Sequence, residues 1–200
     1  MPEALTDTKL EFADPELTLE QFHDLLHSWW RRHQRSYPWR ETDNPFQLLM
    51  SELMLRRTRA DQVVNVYLNF IAEYPDANSL ASADANEVAS SLYSLGLAWR
   101  VPAFQEIAEL LENHYDGAVP ADYATLVTLP GVGDYVASAV CSFAFHQPVA
   151  IIDTNTVRVA GRLFSIPTHA ESRRRKPIRN LIESLLDRER PREYNYARRC

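Results

Sequence analysis

The run Leu129-Pro130-Gly131-Val132-Gly133 constrains the fold of this 200-residue chain more than any other feature. Its two glycines bracket a single residue between two stretches whose apolar side chains recur with helical spacing. Glycine allows positive φ and close backbone approach, so the run predicts a tight hairpin between two helices. Backbone N–H groups of such a turn form a nest for an anion such as a phosphate. We call residues 129–134 the glycine hairpin; a plain corner between helices is the alternative.

The rest of the chain repeats the spacing of amphipathic helices and lacks the alternation that would support a sheet of any size. Helix starts are indicated by two capping boxes and an Asn-Pro pair: Thr18 with Gln21, Thr58 with Asp61, and Asn44–Pro45. Asp134 is expected to cap the helix after the hairpin. Further helices are predicted over 86–93, 99–114, 121–127, 134–145, 155–164, 171–187 and 192–199. The sequence therefore predicts an all-α fold.

Composition limits the classes of protein that this chain can belong to. Apolar residues make up 46% of it, and no apolar run reaches the ~18 residues of a membrane helix. The acidic N-terminus resembles neither a signal nor a transit peptide. Cys141 and Cys200 are the only cysteines, which excludes a disulfide framework or a four-thiolate metal site within the chain. We expect a cytoplasmic, nucleoid-associated protein with no membrane partner.

The net charge of −6 conceals an uneven distribution. Residues 1–20 hold six acids and one base, so the remainder of the chain, with 20 bases and 21 acids, is almost neutral. Its arginines cluster at 31–40, 56–59 and 173–179. A neutral body with arginine clusters is compatible with a basic, DNA-binding face, and scattered solvated arginines are the alternative.

Asp153 follows the apolar run Val149–Ile152 and precedes a predicted helix. Aspartate is a preferred N-cap, and taken alone the capping role is the better interpretation. A carboxylate in this place is also suited to chemistry. It can stabilise positive charge on a sugar, or activate water, when a glycosidic bond breaks.

Together, Leu129–Phe145 and Ile151–Val159 resemble the helix-hairpin-helix (HhH-GPD, endonuclease III-like) DNA glycosylase superfamily, which includes adenine and thymine mismatch glycosylases. The resemblance extends upstream through Tyr37–Arg40 and Ser51–Thr58 and covers roughly residues 20–198. It implies an all-α fold of two helical lobes with a DNA-binding cleft between them. A damaged or mismatched base is then flipped out of double-stranded DNA.

The resemblance also implies a domain organisation. Residues 1–17 have no clear period and are predicted to form an acidic arm without regular structure, followed by a glycosylase domain over 18–200. The central lobe is expected at about 45–145, including the glycine hairpin, and the second lobe at about 18–40 plus 150–200. We expect a monomer.

Residues of the hairpin and of the segment after it match the family's functional positions. Gly131, Val132, Gly133 and Asp134 match the positions that contact the DNA backbone, a contact that is blind to base sequence. Asp153 matches the catalytic aspartate.

Tyr135 occupies the position at which bifunctional members carry a lysine that attacks the sugar and forms a Schiff base. The only lysines here, Lys9 and Lys176, lie in no motif, and arginine stays protonated. We therefore expect a monofunctional enzyme that leaves an abasic site, with Tyr135 in or near the base pocket. Plain aromatic packing on the first turn of a helix is the alternative.

The segment Ser51–Thr58 resembles the helix end that enters the base pocket and the minor groove. Glu52 matches a glutamate of mismatch-specific members, where it could protonate a leaving purine or hydrogen-bond a pyrimidine. A salt bridge to Arg56 one turn later is its structural alternative. Arg56 and Arg57 stand where adenine-specific relatives usually carry two glutamines. Arg56 is the candidate to fill the gap left by the flipped nucleotide or to contact guanine.

The Leu-Arg-Arg-Thr run at 55–58 resembles archaeal thymine–guanine mismatch enzymes. We therefore expect excision of thymine or uracil opposite guanine. An adenine mismatch glycosylase is the first alternative, and a non-catalytic helix-hairpin-helix module that only grips duplex DNA is the second. Asp153 favours an enzyme, because a passive grip does not require it.

Many relatives bind a [4Fe–4S] cluster through four C-terminal cysteines. Here Cys200 is close to where the first of them is expected, so the sequence is either truncated or a cluster-free version. One cysteine there cannot hold a cluster, and we expect none, nor any other metal in the catalytic site. A structural monovalent cation at the glycine hairpin is compatible with the resemblance.

Overall fold

The computed structural model describes residues 12–96 and 101–198, and within these ranges it contains helices and loops but no strand. The prediction of an all-α fold is confirmed. The α-helices are α1 Leu19–His33, α2 Pro45–Leu55, α3 Ala60–Glu73, α4 Ala77–Ala81, α5 Ala85–Leu92, α6 Val101–Tyr115, α7 Tyr123–Leu126, α8 Asp134–Phe143, α9 Thr154–Leu163, α10 Lys176–Ser184 and α11 Pro191–Ala197. Short 3₁₀ helices lie at Pro38–Arg40, Tyr93–Leu95 and Ala170–Arg174. None of the helices described is long and apolar enough to cross a bilayer.

The chain divides into two compact units. The terminal unit takes Met1–Gln34 and Ala150–Cys200, and the central unit takes Arg35–Val149. The prediction that residues up to about 40 belong with the terminal segment was wrong. Trp39 is buried, stacks on Tyr37 at 4.9 Å between ring centroids and meets Tyr67 of α3 edge-on at 5.5 Å. Residues 35–40 are thereby packed into the central unit.

The core of the central unit is built around α2 and α8, which pack against each other. Helix α2 is buried from Leu48 to Met54, and α8 is buried from Val136 to Phe143. A helix that is apolar on nearly all sides must lie inside the domain rather than on its surface. The packing of α2 against α8 therefore fixes the positions of the side chains on both helices. Helix α4, which no periodicity predicted, begins with a capping box between Asp76 and Ser79 and packs on α6.

The terminal unit has its own apolar core. Its buried members come from the segment before α1, from α1, and from α9 to α11: Phe12, Phe22, Val157, Ala160, Ile178, Ile182, Leu185, Leu186 and Tyr194. Phe12 stacks on Phe164 at 4.7 Å, and the Ala13 N–H donates to the Leu163 carbonyl at 2.6 Å. Residues 12–17 of the predicted arm contain no helix, but burial of the Phe12 ring anchors them to the core of this unit. Residues 1–11 lie outside the described residues.

Some predicted helix starts are confirmed and others are displaced. The capping box of Thr18 with Gln21 and the cap at Asn44 are present. Thr58 does not cap α3, which has Arg59 as its N-cap, and the Asp61 carboxylate instead accepts a hydrogen bond from the Tyr37 hydroxyl at 2.9 Å. The helix predicted over 171–187 is divided into a 3₁₀ turn and α10, because Pro177 favours the first turn of a new helix.

A buried polar network links α1 to the turn before α11. His27 Nε2 lies 2.8 Å from Asp187 Oδ2, and the backbone N–H groups of Glu189 and Arg190 donate to Asp187 Oδ1 at 3.0 and 3.1 Å. Burial by itself raises the pKa of Asp187. The hydrogen bond from His27, the backbone donors and the charge of Arg190 outweigh burial, so the pKa is lowered below its ordinary value.

We expect Asp187→Asn to lower the free energy of unfolding by about 1–3 kcal/mol at neutral pH, because the amide keeps an acceptor oxygen but loses the charge. A depressed folded-state pKa contributes stability above the ordinary carboxyl pKa and loses it as the pH falls through the folded value. The difference between the two proteins should therefore shrink in acid. Urea unfolding from about pH 7 to about pH 2 measures it, and a difference that stays constant would contradict the expectation.

Candidate nucleic-acid interface and catalytic residues

The glycine hairpin joins α7 to α8 in the central unit. Gly131 has a φ of 70°, and the Val132 N–H donates to the Leu129 carbonyl at 3.0 Å, which closes the turn. The Val132 side chain is buried and anchors the turn to the core. Gly133 is extended, with a φ of −104° and a ψ of −178°. Left-handed backbone strongly favours glycine, so Gly131 is required by conformation, whereas Gly133 is not.

The N-terminus of α8 has no side-chain cap. The prediction that Asp134 caps this helix was wrong, because Gly133 is the N-cap and Asp134 is the first helical residue. Asp134 Oδ1 accepts a hydrogen bond from the Tyr123 hydroxyl at 2.9 Å, which links the two helices across the hairpin. No sequence pattern predicted this role for Tyr123. An uncapped helix start with an exposed glycine before it suits an anion.

Two adjacent arginines at the end of α2 have different surroundings. Arg56 Nη1 donates to the Gly131 carbonyl at 2.5 Å and so ties the end of α2 to the hairpin. Arg57 is exposed and has a φ of 61°. A residue other than glycine in this conformation stores strain, and such positions cluster at functional sites. Sequence spacing could not reveal the bond between Arg56 and Gly131, which are 75 positions apart.

Glu52 and Tyr135 meet where α2 packs on α8. The Tyr135 hydroxyl donates to Glu52 Oε2 at 2.6 Å, and only 1% of the Glu52 surface is exposed. Burying a carboxylate is costly unless it accepts hydrogen bonds, and an O–H donor at this distance makes a strong one. The structure thus brings together two of the three predicted catalytic residues, an acid and a phenol, at the first turn after the hairpin.

Asp153, in the terminal unit, is the N-cap of α9. Its Oδ1 accepts from the Thr156 N–H at 2.8 Å, and its own N–H donates to Thr156 Oγ1 at 2.9 Å, which completes a capping box. The capping role weighed from the sequence is therefore real. Within residues 12–96 and 101–198, however, no hydrogen bond to Oδ2 is present, so capping occupies one carboxylate oxygen and leaves the other.

Cys141 has no place in a reactive site. Its buried thiol lies 3.7 Å from the Ala121 carbonyl oxygen, and burial raises the pKa of the thiol to about 11. A buried thiol with a raised pKa stays protonated at neutral pH and is a poor nucleophile. The described parts of the chain contain no group of three or more His, Cys, Asp or Glu side chains arranged to hold a metal ion. The expectation of no iron–sulfur cluster stays a prediction. A monovalent cation at the hairpin stays a prediction.

Comparison with known proteins identifies relatives of this arrangement. A family model described as HhH-GPD superfamily base excision DNA repair protein matches residues 50–184, a range that includes Glu52, Tyr135 and Asp153. A thymine/uracil-DNA glycosylase from Pyrobaculum aerophilum is 34% identical over 186 residues, which cover 88% of this chain and 79% of that protein. The solved structure of a thermostable thymine-DNA glycosylase matches with a TM-score of 0.84 and 30% identity, covering 90% of this chain and 84% of the other.

Adenine-specific enzymes are also similar to this chain. An adenine DNA glycosylase from Mycobacterium tuberculosis is 38% identical over 138 residues. These residues cover 68% of this chain but only 45% of that protein. The similarity of the shared region therefore does not by itself select one base.

Replacing each hairpin glycine by alanine should separate folding from binding. Gly131→Ala is expected to cost about 1–2 kcal/mol of stability, because its φ is positive although the added Cβ finds no atom closer than 3.7 Å. Gly133→Ala should fold like the parent, since its φ is ordinary and its Cβ meets nothing within 4 Å.

The same two variants test where the backbone meets DNA. Gly133→Ala should still weaken duplex binding about tenfold, because its methyl group would stand between the helix start and a phosphate. Thermal unfolding and fluorescence-anisotropy titration with duplex DNA measure the two effects. Parental affinity in Gly133→Ala would contradict a backbone contact at this turn.

Proposed function

Because the chain belongs to the HhH-GPD superfamily of base excision DNA repair proteins, we propose that it is a monofunctional DNA glycosylase that removes thymine or uracil paired with guanine in double-stranded DNA. The hydrogen bond from the Tyr135 hydroxyl to the buried Glu52 carboxylate carries the proposal. Tyr135 stands at the position at which bifunctional members would carry the lysine for Schiff-base chemistry, and a phenol cannot form a Schiff base. The similarity to the thymine/uracil-DNA glycosylase supports the class of base.

The glycine hairpin would hold the DNA backbone. Its exposed glycines and the uncapped start of α8 offer N–H donors to a phosphate, and the helix dipole favours the negative charge. Such a contact carries no base information and fixes the position of the duplex. Arg56, bonded to the Gly131 carbonyl, would keep this turn in place.

Asp153 would act on the sugar. When the bond between C1′ and the pyrimidine N1 breaks, its electron pair leaves with the base, and positive charge develops on C1′ and the ring oxygen. A carboxylate oxygen such as Asp153 Oδ2 stabilises that charge, or accepts the proton of the water that attacks C1′. Oδ1 remains bonded to α9 throughout, so the cap also orients the carboxylate.

Glu52 and Tyr135 would contact the base. The N3–H of thymine or uracil is a donor of the kind that a carboxylate accepts. The departing pyrimidine is a stabilised anion that needs hydrogen bonds more than a strong acid. The exposed Arg57, with its left-handed backbone, would approach the duplex, where a guanidinium matches the acceptors of guanine.

Adenine excision is the second candidate, and the Mycobacterium tuberculosis relative favours it. A purine must be protonated on its ring before it leaves, and Glu52 is an acid at the corresponding position. Arg56 and Arg57, in place of the two glutamines usual in adenine-specific relatives, favour the pyrimidine.

Duplexes containing G·T, G·U and G·A pairs, each strand labelled in turn, test the proposal. Incubation followed by alkali should cut the strand that holds thymine or uracil, and the free base should appear in solution. Borohydride added during the reaction should trap no protein–DNA adduct, because the Schiff base needs an amine that the proposed site does not supply.

The possible results are distinct. Cutting only at adenine would contradict excision of thymine or uracil and support an adenine mismatch glycosylase. Efficient trapping would contradict monofunctional hydrolysis. Tight duplex binding without release of any base would leave a passive helix-hairpin-helix module.

Asp153→Asn separates chemistry from folding. Asparagine is as good an N-cap as aspartate, so the free energy of unfolding should change by less than about 0.5 kcal/mol. Base release in single-turnover reactions should fall by roughly 10²–10³-fold, because the charge that stabilises the sugar is lost. Duplex affinity should not change.

Asp76→Asn is the matched control for this variant. Asp76 is also the N-cap of a helix in a capping box, but it lies in the central unit at α4. The same substitution there should leave the rate of base release unchanged. Equal rates in the parent and Asp153→Asn would remove Asp153 from the mechanism.

A further inference from the structure

The peptide group of Ile151 is held by two side chains near the end of the chain. Its N–H donates to Asn195 Oδ1 at 3.2 Å, and its carbonyl oxygen accepts from Arg198 Nη2 at 3.4 Å. Asn195 is on α11, and Arg198 directly follows it. Asn195 and Ile151 have no exposed surface and Arg198 only 5%. These bonds span 44 and 47 positions of sequence.

The segment 150–152 needs partners of this kind. It belongs to no helix and lies between α8 and α9, and the described structure has no strand to pair with it. Buried N–H and carbonyl groups are costly unless they are hydrogen-bonded. Asn195 and Arg198 therefore do for Ile151 what a neighbouring strand does in a sheet.

Asp153 lies two residues after this peptide group. On the other side it is fixed by Thr156, which is buried and bonds both the Asp153 carboxylate and its N–H. The aspartate thus sits in a short span with a polar anchor at each end, one on α9 and one provided by α11. The guanidinium of Arg198 is itself held, with its central carbon 4.8 Å from the centre of the Tyr194 ring.

We propose that Asn195 and Arg198 are positioning residues for base excision: by holding the Ile151 peptide group, they set the place of the Asp153 carboxylate relative to the sugar. The inference rests on the proposed role of Asp153. Misplacement of a catalytic group by about 1 Å can cost on the order of 10² in rate, even when the change is made far from the reacting atoms.

Asn195→Leu removes the oxygen that accepts the Ile151 N–H and puts a side chain of similar volume in its place. The single-turnover rate of base release from G·T or G·U duplexes should fall about 30–100-fold. The dissociation constant for the same duplex should stay within about twofold, because Asn195 has no exposed surface to offer to a duplex. Asn195→Asp keeps an oxygen for the Ile151 N–H beside the Arg198 cation and should recover most of the rate. Arg198→Leu should slow the reaction less, since its bond is longer.

Asp187→Asn is the control for general destabilisation. It weakens the same unit without touching the Ile151 peptide group, so it should leave the rate unchanged below its unfolding temperature. If Asn195→Leu does not fold, the rates of Arg198→Leu and Arg198→Lys are compared instead. Lysine keeps a cation that can donate to the Ile151 carbonyl, so Arg198→Lys should release the base faster than Arg198→Leu.

The outcomes distinguish this inference from the proposed function. Parental rates in Asn195→Leu and Arg198→Leu, with base release intact in the parent, would overturn the positioning role and leave the glycosylase standing. Equal slowing in Asp187→Asn would also overturn it, because a loss of stability alone would then explain the effect. Failure of the parent to release any base would instead overturn the proposed function on which the inference rests.

Discussion

The packing of α2 against α8 is the constraint on which the candidate base site depends. Both helices are buried along most of their length, so neither can shift without opening the core of the central unit. Glu52 lies on α2 and Tyr135 on α8, and their hydrogen bond makes a buried carboxylate tolerable in an apolar contact. The same packing brings Arg56 to the Gly131 carbonyl. Acid, phenol and hairpin are therefore positioned by one helix pair.

In the proposed function, Asp153 has a chemical role in addition to the structural role that its contacts show. Asp153 caps α9 with one carboxylate oxygen and keeps the second, and the bonds that serve the cap also fix the direction of the side chain. Arg56 joins the end of α2 to the hairpin through the Gly131 carbonyl. In both cases local contacts fix the side chain, and the proposed function would use that rigidity.

Local sequence patterns predicted most helices but failed where distant partners compete for a polar side chain. Thr18 and Asn44 cap their helices as predicted, each by accepting backbone N–H groups of the first turn. The Asp61 carboxylate accepts a hydrogen bond from the Tyr37 hydroxyl, and the Asp134 carboxylate accepts one from the Tyr123 hydroxyl. Neither aspartate has the predicted capping role. The segment 12–17 carries too few apolar residues to show a period, yet one buried ring, Phe12, is enough to anchor it.

By itself the sequence determined the all-α class and the glycine hairpin, and it singled out Asp153, Glu52 and Tyr135 as candidate catalytic residues. These follow from local rules: helical spacing, the freedom of glycine at positive φ, and the resemblance of short motifs. Only the tertiary structure decided that Tyr135 donates to Glu52, that Arg56 braces the hairpin, and that α11 holds the segment before Asp153. Such contacts join residues tens of positions apart, because burial in a shared core, rather than sequence spacing, selects which polar groups must satisfy each other.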